Sequence, residues 1–410
     1  MWRNIHNEGS AIWFLALLVV MMSMTRCVEP FEPEVPEYEE TLVVDGLFTD
    51  GDVPSRVTLS NSFGFDEDGP TFVSDALVVI EDDMGGSTAL EEVAEGIYET
   101  DPQQYRGQVG VSYRLLVSTP DGQRYESGWE LLQASPAIDQ LDFEFIEVEQ
   151  SDPAELPIRG AQIRVGTRDD AGGATYFSWD YEEIYEFELP HAPRIRAEFG
   201  SPPGRGSDFI FDISNEDFEG LRCWKTEKSK QLLIASTENL TEAVIQDFNI
   251  NFIDNSTPRL FIRYSILVNQ YAISKEYYDN IRKIFEVNQT TGSLFDPIPN
   301  EIFGNVSNVT NEEAPVLGFF GVAGVSQKRI FINREDAPPG FGATRGPSCE
   351  LETIPLNFLS LFDRIERDGL VLQDYARDLL FGNPVGYILT MPVCAFCAES
   401  GASNQRPDFW

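Results

Sequence analysis

The sequence predicts a mainly β protein, a β-sandwich followed by a larger β-rich domain with a few helices, and two observations carry that expectation. Short runs of alternating apolar and polar residues recur between clusters of Gly, Asp and Pro, the pattern of half-buried strands joined by tight turns. The chain has 410 residues, of which 42% are hydrophobic and 12% aromatic, enough for two domains with full cores and too much for general disorder.

Residues 1–26 read as a secretory signal. Arg3 precedes an apolar run, AIWFLALLVVMM at 11–22, that is too short to span a bilayer, and a solitary Cys27 follows. Cys27 is the expected lipid-acceptor residue, which makes the mature protein a lipid-anchored lipoprotein. Met24, Thr25 and Arg26 depart from the usual residues before such a cysteine, so an ordinary cleaved signal or an uncleaved anchor is the alternative. Residues 27–41 (CVEPFEPEVPEYEET) mix acidic residues with proline and cannot bury enough apolar surface to fold, so they read as an extended acidic tether. Such acidic residues after the cysteine resemble the signal that sends lipoproteins of Bacteroidetes-type bacteria to the exterior face of the outer membrane; a plain solvated linker is the alternative.

Residues 42–135 hold the sandwich. Strands are expected at 42–44, 56–59, 76–80, 113–117 and 128–132, separated by turn clusters such as Asp82-Asp83-Met84-Gly85-Gly86 and Pro120-Asp121-Gly122. The run Ala76-x-Val78-x-Ile80, then Gly96-Ile97-Tyr98, then Tyr113-x-Leu115-x-Val117 resembles immunoglobulin-like or transthyretin-like modules of bacterial surface proteins. The acidic clusters Asp66-Glu67-Asp68 and Glu81-Asp82-Asp83 lack the spacing of a known calcium loop and read as solvated loops.

Residues 136–410 form the larger β-rich domain. Strands at 161–165 and 175–189 flank the turn Asp169-Asp170-Ala171-Gly172-Gly173 and read as a hairpin. The second strand carries Phe177, Trp179, Tyr181, Glu183, Tyr185 and Phe187 on one face and Ser178, Asp180, Glu182 and Glu186 on the other. Core packing is the first reading of the aromatic face. Its alternative is a ligand platform built on Trp179, Tyr181, Glu183 and Tyr185, because Glu183 must reach water, a cation or an opening. A strand over 259–274 leads into a helix at 274–288, which Ser274 caps and Glu276 favours through the helix dipole. A strand at 316–322 and a second helical stretch within 370–381 complete the reading. The Asn-rich segment 300–311 and the terminal Phe409-Trp410 are weaker binding candidates, with turn composition and core plugging as their alternatives.

Besides Cys27 there are four cysteines, Cys223, Cys349, Cys394 and Cys397, an even number in an exported chain. Two disulfides are expected; three pairings are open, and free thiols or a metal at Cys394-x-x-Cys397 are the alternatives. With 68 acidic against 29 basic residues and a net charge of −39, nucleic acid is excluded as a partner.

Tyr176–Phe187 (YFSWDYEEIYEF), Cys223-Trp224, Leu260–Tyr271 (LFIRYSILVNQY), Gly292–Pro297 with Gly304-Asn305-Val306, Val325–Asn333 (VSQKRIFIN) and the ending Cys394-x-x-Cys397…Pro407-Asp408-Phe409-Trp410 together resemble the domain-of-unknown-function 4249 family. That resemblance implies a β-rich outer-membrane lipoprotein of Bacteroidetes-type bacteria, typically encoded beside TonB-dependent receptors. It implies no catalytic residue. Only His6 and His191 are present, and no nucleophile elbow, phosphate loop or dinucleotide fingerprint appears, so neither an enzyme nor a cofactor is expected. The expected role is an accessory or ligand-binding subunit of a TonB-dependent outer-membrane transporter, held to outer-membrane lipid through Cys27. An adhesin or structural surface protein is the alternative.

Overall fold

A computed structural model describes residues 40–63, 69–150, 152, 155–201, 203, 209–212, 222–290, 302, 304–344 and 349–410. The signal, Cys27, the tether up to residue 39, Asp66-Glu67-Asp68 and the Gly292–Pro297 motif lie outside these residues. Thr41–Ser62 and Pro70–Trp410 form one compact unit, to which all of the following belongs.

The protein is mainly β, 48% strand against 10% helix. A nine-stranded sheet runs in the order Arg222–Lys228, Tyr176–Glu188, Arg263–Ile273, Leu317–Asn333, Leu42–Thr49, Arg56–Asn61, Ile97–Glu99 and Glu91–Ala94, with Leu233–Ser236 also paired to Tyr176–Glu188. Leu317–Asn333 is its spine. Gly324 to Asn333 pair antiparallel with Ala272 to Arg263, while Leu317 to Ala323 pair parallel with Val43 to Thr49. Gly318 is obligatory at this junction: its φ is +88°, and a Cβ there would stand 2.0 Å from the Val44 carbonyl oxygen.

A second sheet, Val306–Asn308, Arg124–Ser127, Ser112–Ser118, Leu77–Asp82 and Ser87–Ala89, with Glu130–Leu131 on Ser112–Ser118, faces the N-terminal end of the first. Val44, Phe48, Leu59, Ile80, Leu115 and Phe320 are buried in the core of this sandwich. Residues 306–322 thus supply strands and core to the sandwich expected over 42–135. The Gly304-Asn305-Val306 motif locks them in place. The Asn305 side chain donates to the Phe320 carbonyl and accepts from the Phe320 N–H, both at 2.9 Å, and a Cβ at Gly304 would lie 1.4 Å from the Gly318 oxygen.

The expected hairpin across residues 169–173 does not form. Ile158–Arg168 pairs with Ile138–Val148 and Val244–Asp254 in a separate three-stranded sheet, and Tyr176–Glu188 enters the large one. Asp169 shapes the crossing: its carboxylate accepts the backbone N–H groups of Ala171, Gly172 and Ala174. Ile163, Val165, Phe177, Trp179, Tyr264 and Ile266 fill the core between the two sheets.

The expected helix at 274–288 is present as Lys275–Thr290, with the Ser274 hydroxyl accepting from the Tyr277 N–H at 3.1 Å. The one expected within 370–381 is instead a strand, Val371–Arg377, paired with Pro384–Thr390. Its register slips between Leu372 and Asp374, and the extra residue, Gln373, breaks the period-two pattern so that the stretch reads like a helix. The other α-helix among the described residues is Phe358–Glu366, whose cap Asn357 accepts from the N–H groups of Leu359 and Ser360.

Candidate functional site, a groove on the face opposite the aromatic stripe

The four residues singled out by sequence are all inside. Trp179, Tyr181, Glu183 and Tyr185 are 2%, 7%, 5% and 5% exposed, because the three-stranded sheet covers the face they share. Trp179 donates its indole N–H to Gln270 Oε1 at 3.1 Å. Glu183 Oε1 accepts from Arg259 Nε at 2.9 Å, and Oε2 accepts from Tyr264 Oη at 2.7 Å and Asn251 Nδ2 at 3.3 Å. The other arm of Arg259 pairs with Glu227. Burial pushes the Glu183 carboxyl above its ordinary range, against the pull of Tyr264 and Arg259. Glu183 thus has three hydrogen-bond donors, all from within the protein.

The remaining candidates also have structural partners. Cys223 bonds to Cys397 and Cys349 to Cys394, so each cysteine of the Cys-x-x-Cys motif has its own distant partner. His191 sits beside the second bridge, its Nε2 3.4 Å from the Cys349 carbonyl oxygen. Trp410 is buried and donates its indole N–H to Glu186 Oε2 at 3.1 Å, closing the end of the Tyr176–Glu188 strand. Within the second acidic cluster, Asp82 accepts from the Met84 and Gly86 N–H groups and from the Tyr105 hydroxyl, while Glu81 pairs with Arg114. Asn308 caps its own turn by accepting from the N–H groups of Thr310 and Asn311.

Alternation places Ser178, Asp180 and Glu182 on the opposite face of the same strand, and that face is open. Two adjoining cavities of about 640 and 520 Å³ lie on it, sharing Leu47, Asp180, Ser229 and Tyr271. The second touches both Asp180 and Arg56, whose strands are four steps apart in the sheet, roughly 19 Å if the sheet were flat. One cavity reaching both requires strong curvature of the sheet.

Helix Lys275–Thr290 lines the larger cavity with Tyr277, Asn280, Ile281 and Ile284. Tyr277 lies flat on Phe319, ring centroids 4.9 Å apart and planes 17° from parallel. Gly321 makes that seat: a Cβ there would fall 2.5 Å from the Tyr277 ring. Asp180 accepts from Asn269 Nδ2 at 2.5 Å and from Tyr271 Oη at 3.0 Å, and burial raises its pKa against those two bonds. Asp45 differs. Its side chain is open to water from the groove, yet the protein packed around it raises its pKa, and among the described residues its carboxylate accepts no hydrogen bond and pairs with no cation. Burial, followed by the charges of Asp45 and Asp180, pushes the Tyr277 hydroxyl well above its ordinary value, so both carboxylates act on one phenol.

The face that the sequence reading singled out is sealed, and the open face of the same strand carries Asp180; the other groove residues it did not single out are Asp45, Tyr271 and Tyr277. The available signals were the acidic face of 176–187 and a lone carboxylate in the apolar run Leu42-Val43-Val44-Asp45-Gly46-Leu47.

A family model described as Domain of unknown function (DUF4249) matches residues 28–329. The match takes in the sandwich and every wall of the groove, and ends before the disulfide-linked segment 349–410. No curated protein matches the chain.

Proposed function

The chain belongs to the DUF4249 family, and from that premise we propose that it is an outer-membrane lipoprotein, lipid-anchored through Cys27 and facing the exterior, that serves as a ligand-binding accessory subunit of a TonB-dependent transporter. The observation that carries the binding role is the groove: a preformed concavity whose floor holds a carboxylate without a partner. A purely structural module has no need of such a concavity. The leader, the lone Cys27 and the acidic tether support export and anchoring.

The test is a mild-detergent pull-down of the tagged protein from native outer membranes, read by mass spectrometry. Stoichiometric recovery of one TonB-dependent receptor is the expected result. Recovery of the lipoprotein alone would overturn the accessory role and favour the adhesin reading.

A further inference from the structure

We propose that the tip of the last hairpin, Leu379-Leu380-Phe381, is a wedge that dips into a lipid bilayer and gives the folded unit a second contact with the membrane. The proposal rests on the lipid-anchored reading for the presence of a bilayer and adds a surface to it.

The tip joins Val371–Arg377 to Pro384–Thr390, and its three large apolar side chains stand almost wholly in water. They have apolar company. Pro355 pairs with Gly386 and Arg377 with Pro384, so Leu356 and Val385, each one residue nearer the turn, lie at the same end of this three-stranded sheet. Both are exposed, as is Leu359 in the first turn of helix Phe358–Glu366. Exposed apolar residues scattered singly need no explanation, whereas a run of three at a turn with others at the same sheet end marks an interaction surface.

The backbone of the tip says which kind of surface. Asp378 Oδ1 accepts from the Leu380 and Phe381 N–H groups at 3.0 and 2.6 Å, and Oδ2 accepts from the Asn383 N–H at 2.8 Å. The Gly382 N–H donates to the Asp378 carbonyl, the Asp378 N–H to the Asn383 carbonyl, and Arg377 to the Gly382 carbonyl. These bonds, the one from Phe381 first, hold the Asp378 carboxyl below its ordinary range, so its charge is spent on the turn. A turn that meets its own polar groups can enter an environment without water, which is the condition a bilayer imposes. A protein interface instead carries about one hydrogen bond per 100–200 Å², and this tip has already used those N–H groups.

Charge and reach agree with a lipid surface. A net charge of −39 gives the protein no general attraction to anionic lipid, so apolar burial has to carry the contact, at the depth of the headgroup and acyl boundary. The twelve residues at 28–39 span at most about 43 Å, so an anchor at Cys27 keeps the folded unit near the bilayer and raises the local concentration of the wedge there.

The test is flotation of the chain from residue 28, which carries the whole folded unit and no lipid, with vesicles of zwitterionic phosphatidylcholine. Binding is expected, and changing Leu379, Leu380 and Phe381 together to serine is expected to weaken it by at least about tenfold, a ratio that burial of one leucine side chain already supplies, with an unchanged melting temperature. A nitrobenzoxadiazole probe placed by Leu380→Cys, the other cysteines of that chain being in disulfides, should brighten on the vesicles, and the same probe at exposed Met84 of the sandwich should not. No flotation, equal flotation of the serine variant, or a probe at 380 that stays dark would each overturn the proposal. Absence of flotation together with loss of the receptor from a pull-down of the serine variant would assign the tip to a protein partner instead. The result is separable from the anchoring reading: Cys27 found without lipid by mass spectrometry removes the anchor and leaves the vesicle measurement as it stands.

Discussion

Arg259→Ala is the substitution that most directly tests whether Glu183 belongs to the fold or to a ligand. The Glu183 side chain is 6% exposed and that of Arg259 28%, so their contact is largely shielded from water. Removing one partner of a buried pair costs about 3–5 kcal/mol, because the other charge is stranded. Here Glu183 keeps Tyr264 and Asn251 as donors, each worth about 1 kcal/mol, which brings the expected loss to about 1–3 kcal/mol. Glu183→Gln should cost less, about 1–2 kcal/mol, since an amide oxygen still accepts from Tyr264. Adding Glu183→Gln to Arg259→Ala should recover stability relative to Arg259→Ala alone. The pH dependence has a definite sign. A carboxyl whose folded pKa lies above its unfolded value weakens the fold as pH rises through that interval, and Glu183 is raised, the more so without Arg259. The Arg259→Ala deficit should therefore shrink between pH 7.5 and pH 5. Urea denaturation followed by circular dichroism measures all four proteins. A deficit below about 0.5 kcal/mol, or one that grows on acidification, refutes the reasoning.

The two disulfides should differ in the expected order: Cys223–Cys397 spans 174 residues and Cys349–Cys394 spans 45, for which loop-closure entropy gives about 5 and about 4 kcal/mol in urea melts of the paired serine variants. Gly318→Ala should destabilise strongly, because the Val44 backbone oxygen 2.0 Å from the new Cβ cannot move aside without breaking the parallel pairing; an unchanged melting temperature would contradict the register. Asp45→Asn should leave the melting temperature at pH 7.5 unchanged or higher, since its raised, unpartnered carboxylate opposes folding above its pKa, and a clear fall would show that Asp45 is structural. Leu379, Leu380 and Phe381 are 103%, 85% and 82% exposed at the tip of the last hairpin, so changing all three to serine should shift stability by no more than about 0.5 kcal/mol in the same melts.

The strands that alternate cleanly, such as Tyr176–Glu188 and Ser112–Ser118, were legible because each presents one face to a core and ends at a Gly or Asp turn. The long helix was legible for a local reason as well, a serine cap followed by an acidic first turn. Strand partners were not, since pairing is a property of distant segments. Nothing near residue 317 announces that it will lie parallel to residue 43, and the turn at 169–173 has hairpin chemistry although its flanking strands go to different sheets. The bulge at Gln373 misled by the opposite route, a local irregularity that imitated another period.

The groove failed to show in the sequence for a more specific reason. A strand reveals which residues share a face but not which face a neighbouring sheet will seal, and on Tyr176–Glu188 the aromatic face looked like the binding surface because it was the more unusual. Glu183 is one carboxylate on an otherwise aromatic face and Asp45 one carboxylate in an apolar run, so the two give similar local signals. Their difference lies in what reaches them. Arg259, Tyr264 and Asn251 converge on Glu183 from three segments, whereas Asp45 faces a concavity and, among the described residues, accepts no hydrogen bond. A partnered carboxylate in a core is a solved packing problem. Asp45, open to water from the groove, needs no partner from the chain, which is why no other segment is shaped to meet it.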